Sequence, residues 1–251
     1  MPTPFYHLSV AEDLLQHPSL PNEWRQLFDT QRPAYYFGHT APDVQVVSGQ
    51  TRQETHFYSI PLPPAPIIPW ERFLVDYPGL VISGQLPPDQ IAFLAGYLCH
   101  LQADWIWLKQ IFLPVFGMGA QWQTLPERLY LHNVLRSYLD FQVLQSLNGN
   151  IRESLERVSP QEWLPFVEDD HLRAWLHFLS NQLQPGAAIQ TVDVFAARQG
   201  IDTEEYYRLL TSEEDMDRRI FVHISRSRLD DYRRLVLDEN ISLLNNYLKH
   251  Y

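Results

Sequence analysis

Leu86-Pro87-Pro88-Asp89-Gln90-Ile91-Ala92-Phe93-Leu94-Ala95-Gly96-Tyr97-Leu98-Cys99-His100-Leu101-Gln102-Ala103-Asp104-Trp105 is the stretch on which the fold turns. Pro88 and Asp89 suit a helix start, because proline's fixed φ and missing N–H are harmless in a first turn. From there to about Phe112 the residues are apolar on nearly every side. A helix without a wide polar face belongs at the centre of a helical core, so an imidazole or a carboxylate inside it is expensive unless paired, hydrogen-bonded or metal-bound.

His100 and Asp104 stand four residues apart there, on one helical face. Such a pair can share a metal ion, since zinc takes imidazole nitrogen and carboxylate oxygen at similar distances. The other reading is a buried histidine hydrogen-bonded to an aspartate.

Outward from this helix the pattern stays helical. Residues 4–16 predict an amphipathic first helix with His7 near its start, and residues 23–28 a short second one. Further helices are expected at 125–147, 161–183, 203–210, 215–223 and 227–247, with a break at Gln184 to Gly186. Residues 29–70 carry Pro33, Pro42, Pro61, Pro63, Pro64, Pro66 and Pro69 and read as a long proline-rich loop region. The expected fold class is all-α, a helical domain over 1–150 with a C-terminal helical extension over 151–251 packed on the same core.

Composition agrees. The 251 residues are 45% hydrophobic and hold only 10 glycines against 7 tryptophans, 13 tyrosines and 13 phenylalanines, which favours long, side-chain-rich helices over a turn-dense β-sandwich. A net charge of −11 with 19 Lys and Arg argues against a broad duplex nucleic-acid surface. The one cysteine, Cys99, excludes an internal disulfide and reads as a buried thiol. The N-terminus lacks a basic start and an apolar stretch, and no apolar run reaches the roughly 18 residues of a membrane span. A cytoplasmic location without a transmembrane segment is therefore expected.

Two polar islands punctuate the proline-rich region: Gly38-His39-Thr40-Ala41-Pro42-Asp43 and Thr51-Arg52-Gln53-Glu54-Thr55-His56-Phe57-Tyr58. Alone, Asp43 is also an ordinary turn residue and His56 an ordinary surface histidine. Taken in order, His7 in the first helix, Ala41-Pro42-Asp43, Thr55-His56-Phe57 and Gly96 through Asp104 resemble the zinc-dependent phospholipase C family, which is similar to the zinc-dependent single-strand nucleases. The resemblance spans about residues 5–115.

It implies a phospholipase C/nuclease-like bundle in which Asp43, His56, His100 and Asp104 surround one zinc ion, while Asp104 bridges to a second that His7 also ligates. Secreted members give that second ion an N-terminal tryptophan's amine and carbonyl, where this chain has Met1 and Pro2. They also complete a third site with histidines and a glutamate four residues after the last. The nearest candidates here are His132, a possible further metal ligand, and Asp140, eight residues on and therefore not expected on the same face. His39 is a candidate partner for Asp43, and His17, His171, His177, His223 and His250 read as surface or packing residues.

The implied activity is hydrolysis of a phosphoester in a small or lipid-like substrate by a metal-activated water, with Asp43 as the catalytic residue that orients or deprotonates it. Arg52 and Lys109 can offer charge to a phosphate. Tyr35-Tyr36-Phe37, Phe57-Tyr58 and Trp105-Ile106-Trp107 read mostly as core, with some free to line an apolar pocket. The competing expectation is a non-catalytic protein with one structural or regulatory ion, which a closed four-ligand set favours. Iron or another divalent metal also suits mixed imidazole and carboxylate ligands.

Overall fold

A computed structural model describes residues 1–80, 86–144, 146–147, 150–184, 192–193, 196–197 and 200–248. Among these the regular elements are all helical: α1 Pro4–Gln16, α2 Asn22–Thr30, α3 Arg32–Gly38, α4 Gln45–Ser48, α5 Arg52–His56, α6 Pro69–Asp76, α7 Pro88–Trp107, α8 Leu125–Leu144, α9 Ile151–Leu155 and α10 Asp169–Gln182. Thr203–Thr211, Glu213–Met216 and Arg226–Tyr247 follow, with short 3₁₀ turns at Ala41–Val44 and Pro78–Leu80. The all-α class holds.

Helix α7 is the axis. Every residue from Ala92 to Trp107 is buried, and α1, α3, α6 and the last helix, Arg226–Tyr247, pack around it. Two glycines let α3 come in backbone against backbone. A Cβ on Gly96 would lie 2.5 Å from the Tyr35 carbonyl oxygen, and one on Gly38 would lie 2.0 Å from that of Phe93. No larger residue fits either place without moving a helix.

The proline-rich region differs from its expected form. It is broken into short helices, because Pro33, Pro42 and Pro69 occupy first-turn positions, where proline starts a helix instead of stopping one. Residues 49–68 remain irregular apart from α5, which is set by a capping box: the Thr51 N–H donates to Glu54 Oε2 at 2.6 Å.

Two other boundaries shift. The helix expected to run to about Phe112 changes at Leu108 into a π-helical segment ending at Phe116, with Pro114 removing one N–H from the ladder. The helix expected over 161–183 begins only at Asp169. The break expected at Gln184 to Gly186 and the surface role expected of His250 lie largely outside the described residues.

The C-terminal part packs on the same core as the rest. Tyr232 donates to the Ala103 carbonyl at 3.2 Å, and Trp175 of α10 donates to the Thr40 carbonyl at 2.9 Å. Both contacts land beside ligand-type residues, Asp104 and Asp43. Cys99 is buried in α7, as expected. No helix among the described residues is long and apolar enough to cross a membrane.

Candidate metal centre

Four local devices bring the polar side chains together. Helix α1 buries His7 against α7, and α7 carries His100 and Asp104 one turn apart. The Ala41–Val44 turn holds Asp43, its Thr40 carbonyl pinned by Trp175. Helix α5 ends on His56, steadied by the Tyr97 hydroxyl, which donates to the Thr55 carbonyl at 2.6 Å.

The result is one cluster. His56 Nε2 lies 3.3 Å from His100 Nε2, 3.4 Å from Asp43 Oδ1 and 3.5 Å from Asp104 Oδ2. His7 Nε2 lies 3.4 Å from Asp104 Oδ1, and its ring stacks on His100 with centroids 3.8 Å apart. Two three-donor groups share His100: His7, His100 and Asp104 on one side, Asp43, His56 and His100 on the other.

Do these residues fit a metal ion? The His100 Nδ1–H donates to the His39 carbonyl at 2.8 Å, which leaves Nε2 as a bare lone pair aimed into the cluster. His56 turns its Nδ1 to the Thr55 hydroxyl at 2.9 Å and its Nε2 towards Asp43, His100 and Asp104. Both ring nitrogens of His7 and Oδ1 of Asp104 are buried without a hydrogen bond. Leaving buried polar groups so placed costs about 1–3 kcal/mol each, more for a charged one, and a shared cation would offset it. The donor set fits a metal.

Protonation favours the same state. Burial lowers the His7 imidazole to about 4, with His100 adding to the effect. It also holds His56 and His100 below the ordinary histidine value. Burial alone would raise Asp43 and Asp104, but the His56 hydrogen bond at Asp43 and the Arg52 charge at Asp104 bring both below the usual carboxylate range. Neutral imidazoles and ionised carboxylates are the forms that ligate.

Exposure is uneven. His7, His56 and His100 are 0% exposed and Asp104 1%, whereas Asp43 retains 14% and Arg52 28%. Arg52 ion-pairs with Asp104 and reaches the Tyr58 hydroxyl at 2.9 Å, which puts a partly exposed guanidinium at the edge of the cluster.

Among the residues singled out from sequence, His7, Asp43, His56, His100 and Asp104 converge, and His132 does not join them. Its Nε2 accepts from the Trp107 indole at 2.9 Å, and its ring lies among Trp107, Phe112 and Phe116, which makes it a packing residue. His39 supports the site through its backbone carbonyl, while its ring stands edge-on to Tyr35. Lys109 lies over the Trp105 ring instead of reaching the cluster. Asp140 is buried as well, but it accepts from Thr3 and Tyr6 at the start of α1, whereas His132 contacts Trp107 at the end of α7. Arg136 lies halfway between them, and sequence reading passed it over. Its one available signal was the four-residue spacing from each neighbour.

No family model matches the chain, and neither a curated protein nor a solved structure shows significant similarity to it. The site's own chemistry therefore carries the functional reading.

Proposed function

We propose that the protein is a metal-dependent phosphoester hydrolase, using zinc in a phospholipase C-like centre of one or two ions. The observation that carries this reading is the convergence of His7, Asp43, His56, His100 and Asp104, with orphaned donor atoms among them, next to a guanidinium that, like Asp43, stays partly exposed. His56, His100, Asp43 and Asp104 would hold the first ion, and His7 with Asp104 a second. A bound zinc ion supplies Lewis acidity, lowering the pKa of a water and offsetting charge on phosphoryl oxygens.

The chain's own groups do the rest. Asp43, the most exposed of the ligand-type residues, orients the attacking water and receives its proton. Arg52 offers its remaining N–H groups to the phosphoryl oxygens, held in place by Tyr58 and Asp104.

A second reading, a single structural or regulatory ion without catalysis, is favoured by the almost complete burial of four of the five donors. One experiment separates the two. Elemental analysis of the purified chain, of His100→Ala and of Asp104→Ala is paired with hydrolysis of chromogenic phosphodiester and phosphomonoester substrates. Metal and activity lost together in both variants support the hydrolase. One tightly held ion without activity supports the structural reading, and a chain with no metal sinks both.

A further inference from the structure

The charge above the centre comes from a second element as well as from Arg52. Helix α8 carries His132, Arg136 and Asp140 at successive four-residue steps, and the two end residues are only 4% and 1% exposed. Their contacts fix where the strip lies. His132 accepts from Trp107, at the end of α7 and one turn past Asp104. Asp140 accepts from the Thr3 hydroxyl and from the Tyr6 N–H at 3.2 Å, at the start of α1 and one residue from His7. Arg136 is thereby bracketed between the ends of α1 and α7, the two helices that carry His7 and Asp104. The guanidinium accordingly feels Asp43, Asp104 and its neighbour Asp140 as attractive charges and Arg52 as a repulsive one.

Charge and shape then favour one ligand. Asp43 and Asp104 offset one divalent ion, and with Asp140 ionised above about pH 7 the two guanidiniums still leave the region net positive. A phosphomonoester or inorganic phosphate dianion gains more from two guanidiniums than a phosphodiester monoanion does. Guanidinium forks also match the several free oxygens of a terminal phosphate better than the two of a diester.

Resting on the hydrolase reading, we propose that Arg52 and Arg136 form a two-guanidinium anion site beside the metal centre that selects a terminal phosphate dianion, so that the substrate class is phosphomonoesters.

The test is calorimetric titration of the metal-loaded full chain with inorganic phosphate and with dimethyl phosphate at pH 8, with metal content measured on every sample. The unaltered chain is expected to bind phosphate at least about tenfold more tightly than dimethyl phosphate, the scale of one charge-assisted contact. Arg136→Gln is expected to weaken phosphate binding by about tenfold or more while its metal content stays unchanged, and Arg136→Lys to recover part of the loss.

Equal affinity for the two anions overturns the proposal without requiring any variant to fold. So does phosphate binding that ignores Arg136→Gln in a metal-loaded chain. Those two results leave the hydrolase reading standing. A chain without metal overturns both, because each reading places the phosphate beside the ion.

Discussion

Replacing Gly96 with alanine tests the packing that sets the metal centre. The added Cβ meets the Tyr35 carbonyl oxygen at 2.5 Å and the His39 nitrogen at 2.8 Å, where ordinary contact begins at 3.4 Å. Both are backbone atoms and cannot rotate away, so α3 and α7 must part by about 0.9 Å, the shortfall at the nearer atom. Overpacking of this kind costs about 1–3 kcal/mol, and a rigid backbone obstacle places it at the upper end. The same movement stretches the 2.8 Å bond from His100 to the His39 carbonyl past useful length, adding about 1 kcal/mol. Against this, alanine gains about 1 kcal/mol over glycine in a helix interior.

The net expectation is a loss of about 3 kcal/mol in unfolding free energy, read from urea denaturation followed by circular dichroism. Weaker metal retention should accompany it, since His100 loses the partner that fixes its tautomer. Gly119→Ala is the control: nothing lies within 4 Å of its Cβ, and the change should stay within about 0.5 kcal/mol. A Gly96→Ala chain as stable as the unaltered one would refute the close approach of α3 and α7.

Asp140 predicts a pH dependence. Burial raises its carboxyl from 3.8 to about 7 against the opposing Thr3 hydrogen bond, so the folded chain holds this proton more tightly than the unfolded chain. Stability from this group is therefore lost as pH rises from about 4 to about 7, by an amount on the order of 4 kcal/mol. In Asp140→Asn the amide oxygen can still accept from Thr3 and Tyr6, and the variant should gain on the unaltered chain steadily over that window in parallel melts. A difference that does not change with pH would show that the carboxyl is not the titrating group. His132→Phe should keep its full metal content and lose about 1–3 kcal/mol of stability, because the Trp107 indole N–H is left buried without an acceptor. Loss of an equivalent of metal in this variant would instead make His132 a ligand.

The difference between what was readable and what was not follows from the range of each interaction. His100 and Asp104 were legible as a pair because a helix fixes the four-residue relation locally. His7, Asp43 and His56 were legible only through the order of motifs, since nothing in their own neighbourhoods distinguishes a ligand from a turn or surface residue. Arg136 was missed for a related reason. An arginine on a moderately polar helix looks like a solvated face until the contacts of His132 with Trp107 and of Asp140 with Thr3 show which side is covered. The prolines at 33, 42 and 69 were read as breakers, although a proline's effect depends on whether it falls in a first turn or later.

By itself the sequence determined the all-α class, the central burial of the Pro88–Trp107 helix and the sharing of one face by His100 and Asp104. Each follows from local periodicity and from the free energy of hiding apolar side chains. Only the tertiary structure decided that α1, the Asp43 turn and α5 deliver their side chains to that face, that His132 stays with the aromatics, and that Trp175 and Tyr232 brace the site from beyond residue 150. Those outcomes depend on which surfaces meet when the chain closes, with Gly38 and Gly96 admitting α3 against α7, and close packing over long sequence separations leaves no periodic trace.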